Sequence, residues 1–199
     1  MPGSDFERRL EAAQAGDEGS FTELFRSLQP SLLRYLSTVG GALADDVAAE
    51  TWVSVVKGLG RFRGDESKWK AWVFTIARAR LVDARRRAAR TPTPVDTDVA
   101  LDGCVATDDV AGTVEDMFST EAALALIGQL PEQQAEVVLL RYVGGLDVAH
   151  TARAVGKRPG AVRVAAHRGL SRLAELLAAR EHAASQPGVT HPSPGTVRR

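Results

Sequence analysis

Apolar side chains recur at steps of three and four residues on both sides of a central stretch that has no period at all. This pattern constrains the chain most, because steps of three and four line one face of a helix whereas a half-buried strand needs steps of two. Over residues 20–39, Phe21, Leu24, Phe25, Leu28, Leu32, Tyr35 and Leu36 make one such face. Pro30 lies inside it and predicts a bend or a split, since proline cannot donate a helical hydrogen bond. Upstream, Ser4 and Glu7 have the spacing of a capping box that opens a short helix through about Ala15. Val47, Trp52, Val55, Val56 and Leu59 predict a helix over residues 43–59, with Asp45 and Asp46 suited to its N-terminus and Gly58 and Gly60 at its end. Trp69, Trp72, Val73, Ile76, Leu81 and Val82 are the packing residues of a longer helix over 68–90, whose last turns, VDARRRAAR, put positive charge where the helix dipole favours it.

From Thr91 to about Asp116 the chain has no Lys or Arg and is rich in Pro, Thr, Asp and Gly, the composition of a flexible interdomain linker. Helical patterning resumes over 119–129 and again over 131–143, with Pro131 at a first-turn position. A short helix over 147–155 and a longer one from Pro159 to about Arg180 follow, and the remainder reads as a disordered tail. No segment has strand period. The expected fold class is therefore all-α, with two small helical domains at 1–90 and 118–180, an acidic linker at 91–117 and a tail at 181–199.

Lys plus Arg and Asp plus Glu number 25 each, so the net charge is zero, yet the charges are segregated. Residues 1–60 carry 5 basic and 9 acidic side chains, residues 61–90 carry 10 and 3, residues 91–123 carry none and 8, and residues 124–199 carry 10 and 5. Two basic segments held apart by an acidic one suit two contacts with a polyanion. Basic helix faces that merely meet solvent would produce the same count.

The second basic segment contains LDVAHTARAVGKRPGAVRVAAHRGLSR, residues 146–172, which has the shape of a helix-turn-helix. Its first helix ends at Val155, Gly156 supplies the left-handed turn residue, and Pro159 opens the second helix. Leu146, Ala149, Ala152, Val155, Val162 and Leu170 are available to pack the two helices together. Lys157, Arg158, Arg163, His167, Arg168 and Arg172 remain for an outer face, where guanidinium groups reach phosphates and the guanine edge of a major groove.

With its flanks, LPEQQAEVVLLRYVGGLDVAHTARAVGKRPGAVRVAAHRGLSRL resembles domain four of bacterial sigma factors of the extracytoplasmic-function (ECF) group. DDVAAETWVSVVKGLGRFRGDESKWKAWVFTIARARLVDARRR resembles their domain two, in the family's order and spacing. The resemblance implies that Asp45, Asp46 and Glu50 contact core RNA polymerase. It implies that Arg61, Arg63, Lys68, Arg78 and Arg80 line the path of the minus ten strand, with Phe62, Trp69 and Trp72 as aromatic candidates for an extruded base. Taken singly, each of these rings reads as core. Lys157, Arg158, Arg163, His167, Arg168 and Arg172 would then read the minus 35 element of promoter DNA. The family often has Gln at the place of Ala49 and Asn at that of Ala79, so the family's promoter sequence does not carry over.

The implied partners are core RNA polymerase, promoter DNA and an anti-sigma factor, with no metal or cofactor. The other function classes open to such a chain are a stand-alone helix-turn-helix regulator and a helical adaptor without DNA binding. An enzyme is disfavoured, because His150, His167, His182 and His191 lack ligand spacing and Cys104 has no basic neighbour. One cysteine excludes an internal disulfide framework. The first residues lack the pattern of a signal peptide and no stretch approaches the roughly 20 apolar residues of a membrane span, so the expectation is a cytoplasmic protein without membrane insertion.

Overall fold

A computed structural model of the chain describes residues 5–90 and 114–185. Among these, all regular structure is helical and no strand occurs. The first domain consists of α1 (Asp5–Gln14), α2 (Glu18–Gly40), a 3-10 turn (Gly41–Leu43), α3 (Ala44–Leu59) and α4 (Glu66–Arg90). The second consists of α5 (Val114–Ile127), α6 (Glu132–Val138), a π turn (Leu139–Val143), α7 (Val148–Val155) and α8 (Pro159–Ser185).

The ends of these helices follow from local chemistry. Asp17 caps α2 by accepting the Ser20 N–H at 2.6 Å, and hydrogen bonding from Ser20 holds its carboxyl below the ordinary value. Asp147 does the same for α7, accepting the His150 N–H at 2.7 Å. Gly41, at φ 55°, closes α2 with its N–H on the Ser37 carbonyl. Ser4 of the expected capping box lies outside the described residues, as do residues 91–113, with Cys104, and 186–199.

Pro30 does not split its helix. The α2 helix runs through it, since Leu28, Leu32, Tyr35 and Leu36 on either side are buried and their packing offsets the missing donor. α5 begins at Val114, five residues before the expected start, inside the stretch read as linker.

The core runs without a break through both domains. Leu32, Tyr35, Val55, Trp69, Val73 and Phe74 fill the first, and Val137, Leu139, Leu140, Leu146 and Val162 fill the second. Tyr35 and Phe74 meet edge to face at 5.5 Å. A β-carbon on Gly144 would lie 3.1 Å from the Phe74 ring, so the turn after the π segment sits directly on α4. α2 packs against α5, α6 and the π turn while α4 packs against α7, which docks the two domains.

Three expected core positions prove exposed. Val56 is 55% exposed, and Ala149 and Leu170 also face solvent. In α8 the inner face passes through Val162, Ala166 and Gly169, which turns the neighbouring Leu170 outward. No helix among the described residues is long and apolar enough to cross a membrane.

Candidate functional site

The helix-turn-helix forms as its sequence requires. Gly156 adopts φ 68° and ψ 35°, a left-handed geometry that costs glycine nothing, and its N–H closes α7 on the Ala152 and Arg153 carbonyls. α8 then starts at Pro159. Lys157, Arg158, Arg163, His167, Arg168 and Arg172 are all exposed. Arg172 donates to Glu175 at 2.7 Å, a surface pair. His167, Arg168 and Arg172 border an open groove between α8 and α6 that Pro131 and Gln134 close on the other side. Gly169 brings the two helices close, since a β-carbon there would stand 2.7 Å from Val138 Cγ2. Such an exposed, cationic, partly unpaired face can meet a phosphate backbone and base edges together.

The basic residues of the first domain fall into two groups. Arg61, Arg63 and Lys68, around the turn between α3 and α4, are exposed. Arg63 folds back on the Gly60 and Phe62 carbonyls, at 3.0 and 2.6 Å. Arg80 is half-buried and donates to Ser54 Oγ at 3.1 Å, across to α3. Arg78 does not lie open along a groove with the others. Its Nε donates to Glu136 Oε1 at 2.7 Å, and the pair is 29% and 16% exposed. Docking of the second domain is the physical reason, for it brings an acidic helix edge onto this flank of α4.

The three aromatic candidates form one cluster. Phe62 stacks on Trp72 at 5.0 Å and meets Trp69 edge-on at 5.5 Å, while the two tryptophans lie 5.6 Å apart. Trp69 is 1% exposed and belongs to the core, whereas Trp72 is half-buried and is the most accessible ring of the three. Gly58 makes room for it, because a β-carbon there would come 2.8 Å from the Trp72 ring.

On α3, Asp45 and Asp46 are exposed, and Glu50 is tied to Arg87 of α4 at 2.8 Å. The sequence reading missed the apolar part of this surface. Val53 and Val56 are 53% and 55% exposed, and Val53 follows Asp46 by seven residues, two turns along the same face. The interval is present in the sequence, but the periodicity predicts Val56 in the core and assigns Val53 to neither face, and packing alone shows which side of α3 turns inward. Acids and valines together give α3 a mixed outer face of the kind that receives a protein partner.

Comparison with known proteins finds a matching family for each half of the chain. Residues 24–91 match the family described as Sigma-70 region 2, and residues 120–173 match Sigma-70, region 4. The ECF RNA polymerase sigma factor SigD of Mycobacterium tuberculosis is 34% identical over 191 residues, which cover 92% of this chain and 89% of SigD. The ECF RNA polymerase sigma factor BldN of Streptomyces coelicolor is 35% identical over 170 residues, 84% of this chain but only 64% of BldN. In fold, the chain resembles CnrH, solved in complex with the cytosolic domain of CnrY, with a TM-score of 0.58 at 22% identity over 88% of this chain and 99% of that one. Two sigma regions in family order, on a fold shared with CnrH, place the chain in the ECF group of RNA polymerase sigma factors.

Proposed function

We propose that this chain is a dissociable, noncatalytic cytoplasmic subunit that directs core RNA polymerase to a set of promoters and assists their melting. The observation that carries the reading is the pairing of two sigma regions in one chain with an exposed cationic face on α8. Residues 1–90 bind the polymerase through Asp45, Asp46, Glu50 and the valines beside them, and present Arg61, Arg63, Lys68, Arg80 and Trp72 to the minus ten strand. Unstacking a base there costs a few kcal/mol, which a basic track and a half-exposed tryptophan are suited to offset. Residues 118–180 read the minus 35 element with Arg158, Arg163, His167, Arg168 and Arg172. Neither step needs a metal or cofactor.

An anti-sigma factor is the expected regulator. The sigma factor RpoE of Bartonella quintana, with a TM-score of 0.56 to this chain, was solved bound to the anti-sigma factor NepR. The test is transcription by purified core polymerase, with and without this chain, on a promoter library. New promoter-specific transcripts are expected. Failure to bind core at low salt, or binding without any new transcript, would overturn the reading, and a discrete duplex footprint by the chain alone would put a stand-alone regulator in its place.

A further inference from the structure

Helix α1 lies ahead of residues 24–91, the stretch that matches Sigma-70 region 2, yet its last residue reaches into the turn between α3 and α4. Gln14 Nε2 donates to the Leu59 carbonyl and to the Phe62 carbonyl, both at 2.9 Å. Both partners are acceptors, so the nitrogen end of the amide faces them and each of its two hydrogens serves one carbonyl. Leu59 closes α3, where helical carbonyls lack donors of their own. The Phe62 N–H also donates to the Leu59 carbonyl, at 3.0 Å, and the Arg63 guanidinium to that of Phe62, at 2.6 Å. Each carbonyl thus has two donors, one of them from Gln14. The helix that carries Gln14 is itself held by the buried Phe6, Leu10 and Ala13, and the Phe6 ring lies 6.4 Å from that of Trp69 on α4.

We propose that Gln14 is a positioning residue for strand capture: its amide fixes the backbone from Leu59 to Phe62, so that Arg61 and Arg63 stand outward together and Arg63 can turn to a phosphate without loosening the turn. Arg61 and Arg63 are exposed on either side of Phe62, whose buried ring stacks on Trp72. Arg63 is engaged with the Gly60 and Phe62 carbonyls, and to meet a phosphate it must release both. Gly60 is exposed, so water replaces the guanidinium on its carbonyl. Phe62 is buried, and a carbonyl left there without a donor costs free energy. With Gln14 in place that carbonyl keeps one donor after Arg63 departs. Without Gln14, Arg63 becomes the side chain that holds the turn and is withheld from the strand. The proposal rests on the reading of this turn as strand-facing, and the same experiment tests that reading separately.

In the experiment the full-length chain is assembled with core RNA polymerase. A fluorescein-labelled single strand, selected from a randomised pool by the wild-type holoenzyme, reports affinity by anisotropy. Gln14→Met keeps the length of the side chain and removes both donors. It should weaken strand binding about tenfold while affinity for core polymerase changes less than about twofold. On the Arg61→Ala/Arg63→Ala background the same substitution should cost less than about twofold more, since no cation of the turn is left to place. Leu36→Val trims a fully buried side chain of the same domain and leaves Gln14 unchanged; as the stability control it should bind the strand as wild type does. Equal strand affinity of wild type and Gln14→Met would overturn the proposal. So would an equal loss in Leu36→Val, a matching loss of core affinity, or an undiminished loss on the double-alanine background. Should Gln14→Met be poorly folded by circular dichroism, Gln14→Asn, one methylene too short to bridge the two carbonyls, carries the test with the same criteria. A wild-type holoenzyme that selects no strand would sink the sigma reading and the proposal together, whereas strand selection indifferent to Gln14 would sink the proposal alone.

Discussion

Arg78 Nε lies 2.7 Å from Glu136 Oε1, joining α4 of the first domain to α6 of the second across 58 residues of sequence. The same carboxylate accepts from Tyr35, a side chain buried between α2 and α4. One glutamate therefore couples the core of the first domain to the docking of the second.

Burial, followed by the nearby Glu136 charge, pushes the Tyr35 phenol well above its ordinary range. In Tyr142→Phe, which leaves Tyr35 as the one tyrosine, tyrosinate absorbance should stay flat as pH rises through about 10 and appear only with unfolding. The folded-state value is raised, so the stabilisation is complete below the unfolded value of about 10 and is lost as pH climbs above it. Tyr35→Phe should correspondingly flatten the alkaline loss of stability. Reversible ionisation of Tyr35 near pH 10 in the folded chain would contradict this.

Gly169 sets the separation of α6 and α8. Gly169→Val should destabilise the chain by about 1 to 3 kcal/mol in urea denaturation, because the new side chain overlaps Val138. Duplex binding should weaken with it, since α8 is displaced from the helix that supports it.

Asp147→Ala should cost about 1 kcal/mol at neutral pH through loss of the α7 cap. The backbone N–H of His150 is the main cause of the lowered Asp147 pKa, so the cap's charge-dependent part is present above the ordinary carboxylate value and fades as pH falls through the lowered one. The difference in melting temperature between wild type and variant should therefore narrow in acid. Asp147→Asn, which caps without a charge, should recover most of the loss at neutral pH.

Surface substitutions should separate the two partners of the chain. Val53→Asp and Val56→Asp should stay within about 0.5 kcal/mol of wild-type stability, as both side chains face solvent, while weakening core polymerase binding. Asp46→Ala should act in the same direction. Arg163→Ala should cost about 1 to 3 kcal/mol at the upstream promoter element and leave core binding unchanged. Titration of core polymerase and of promoter duplex against each variant checks the division; equal loss of both functions in every variant would refute it.

Much of the site is local and so was readable from the chain. Gly156 and Pro159 define a turn and a helix start through backbone geometry alone, and the cations after them had no apolar role to fill. Val56, Ala149 and Leu170 were misplaced for a different reason. An apolar residue at helical spacing belongs to the core only if its helix turns that face inward, and neighbours distant in sequence settle this. The aromatic cluster shows both sides of the matter: Phe62, Trp69 and Trp72 stood out as a group, but packing alone separated buried Trp69 from half-open Trp72.

By itself, the sequence determined the all-helical class, the order of the two domains, the helix-turn-helix and the segregation of charge behind a net charge of zero, because periodicity, capping and turn chemistry act over a few residues. Tertiary structure decided how the charges are paired. Arg78 reads in the sequence as one more cation of a basic run, and it becomes the partner of Glu136 only because the second domain docks with α6 against α2 and α7 against α4. Such pairings depend on which helix faces meet, a balance of packing over the whole molecule that no local pattern encodes.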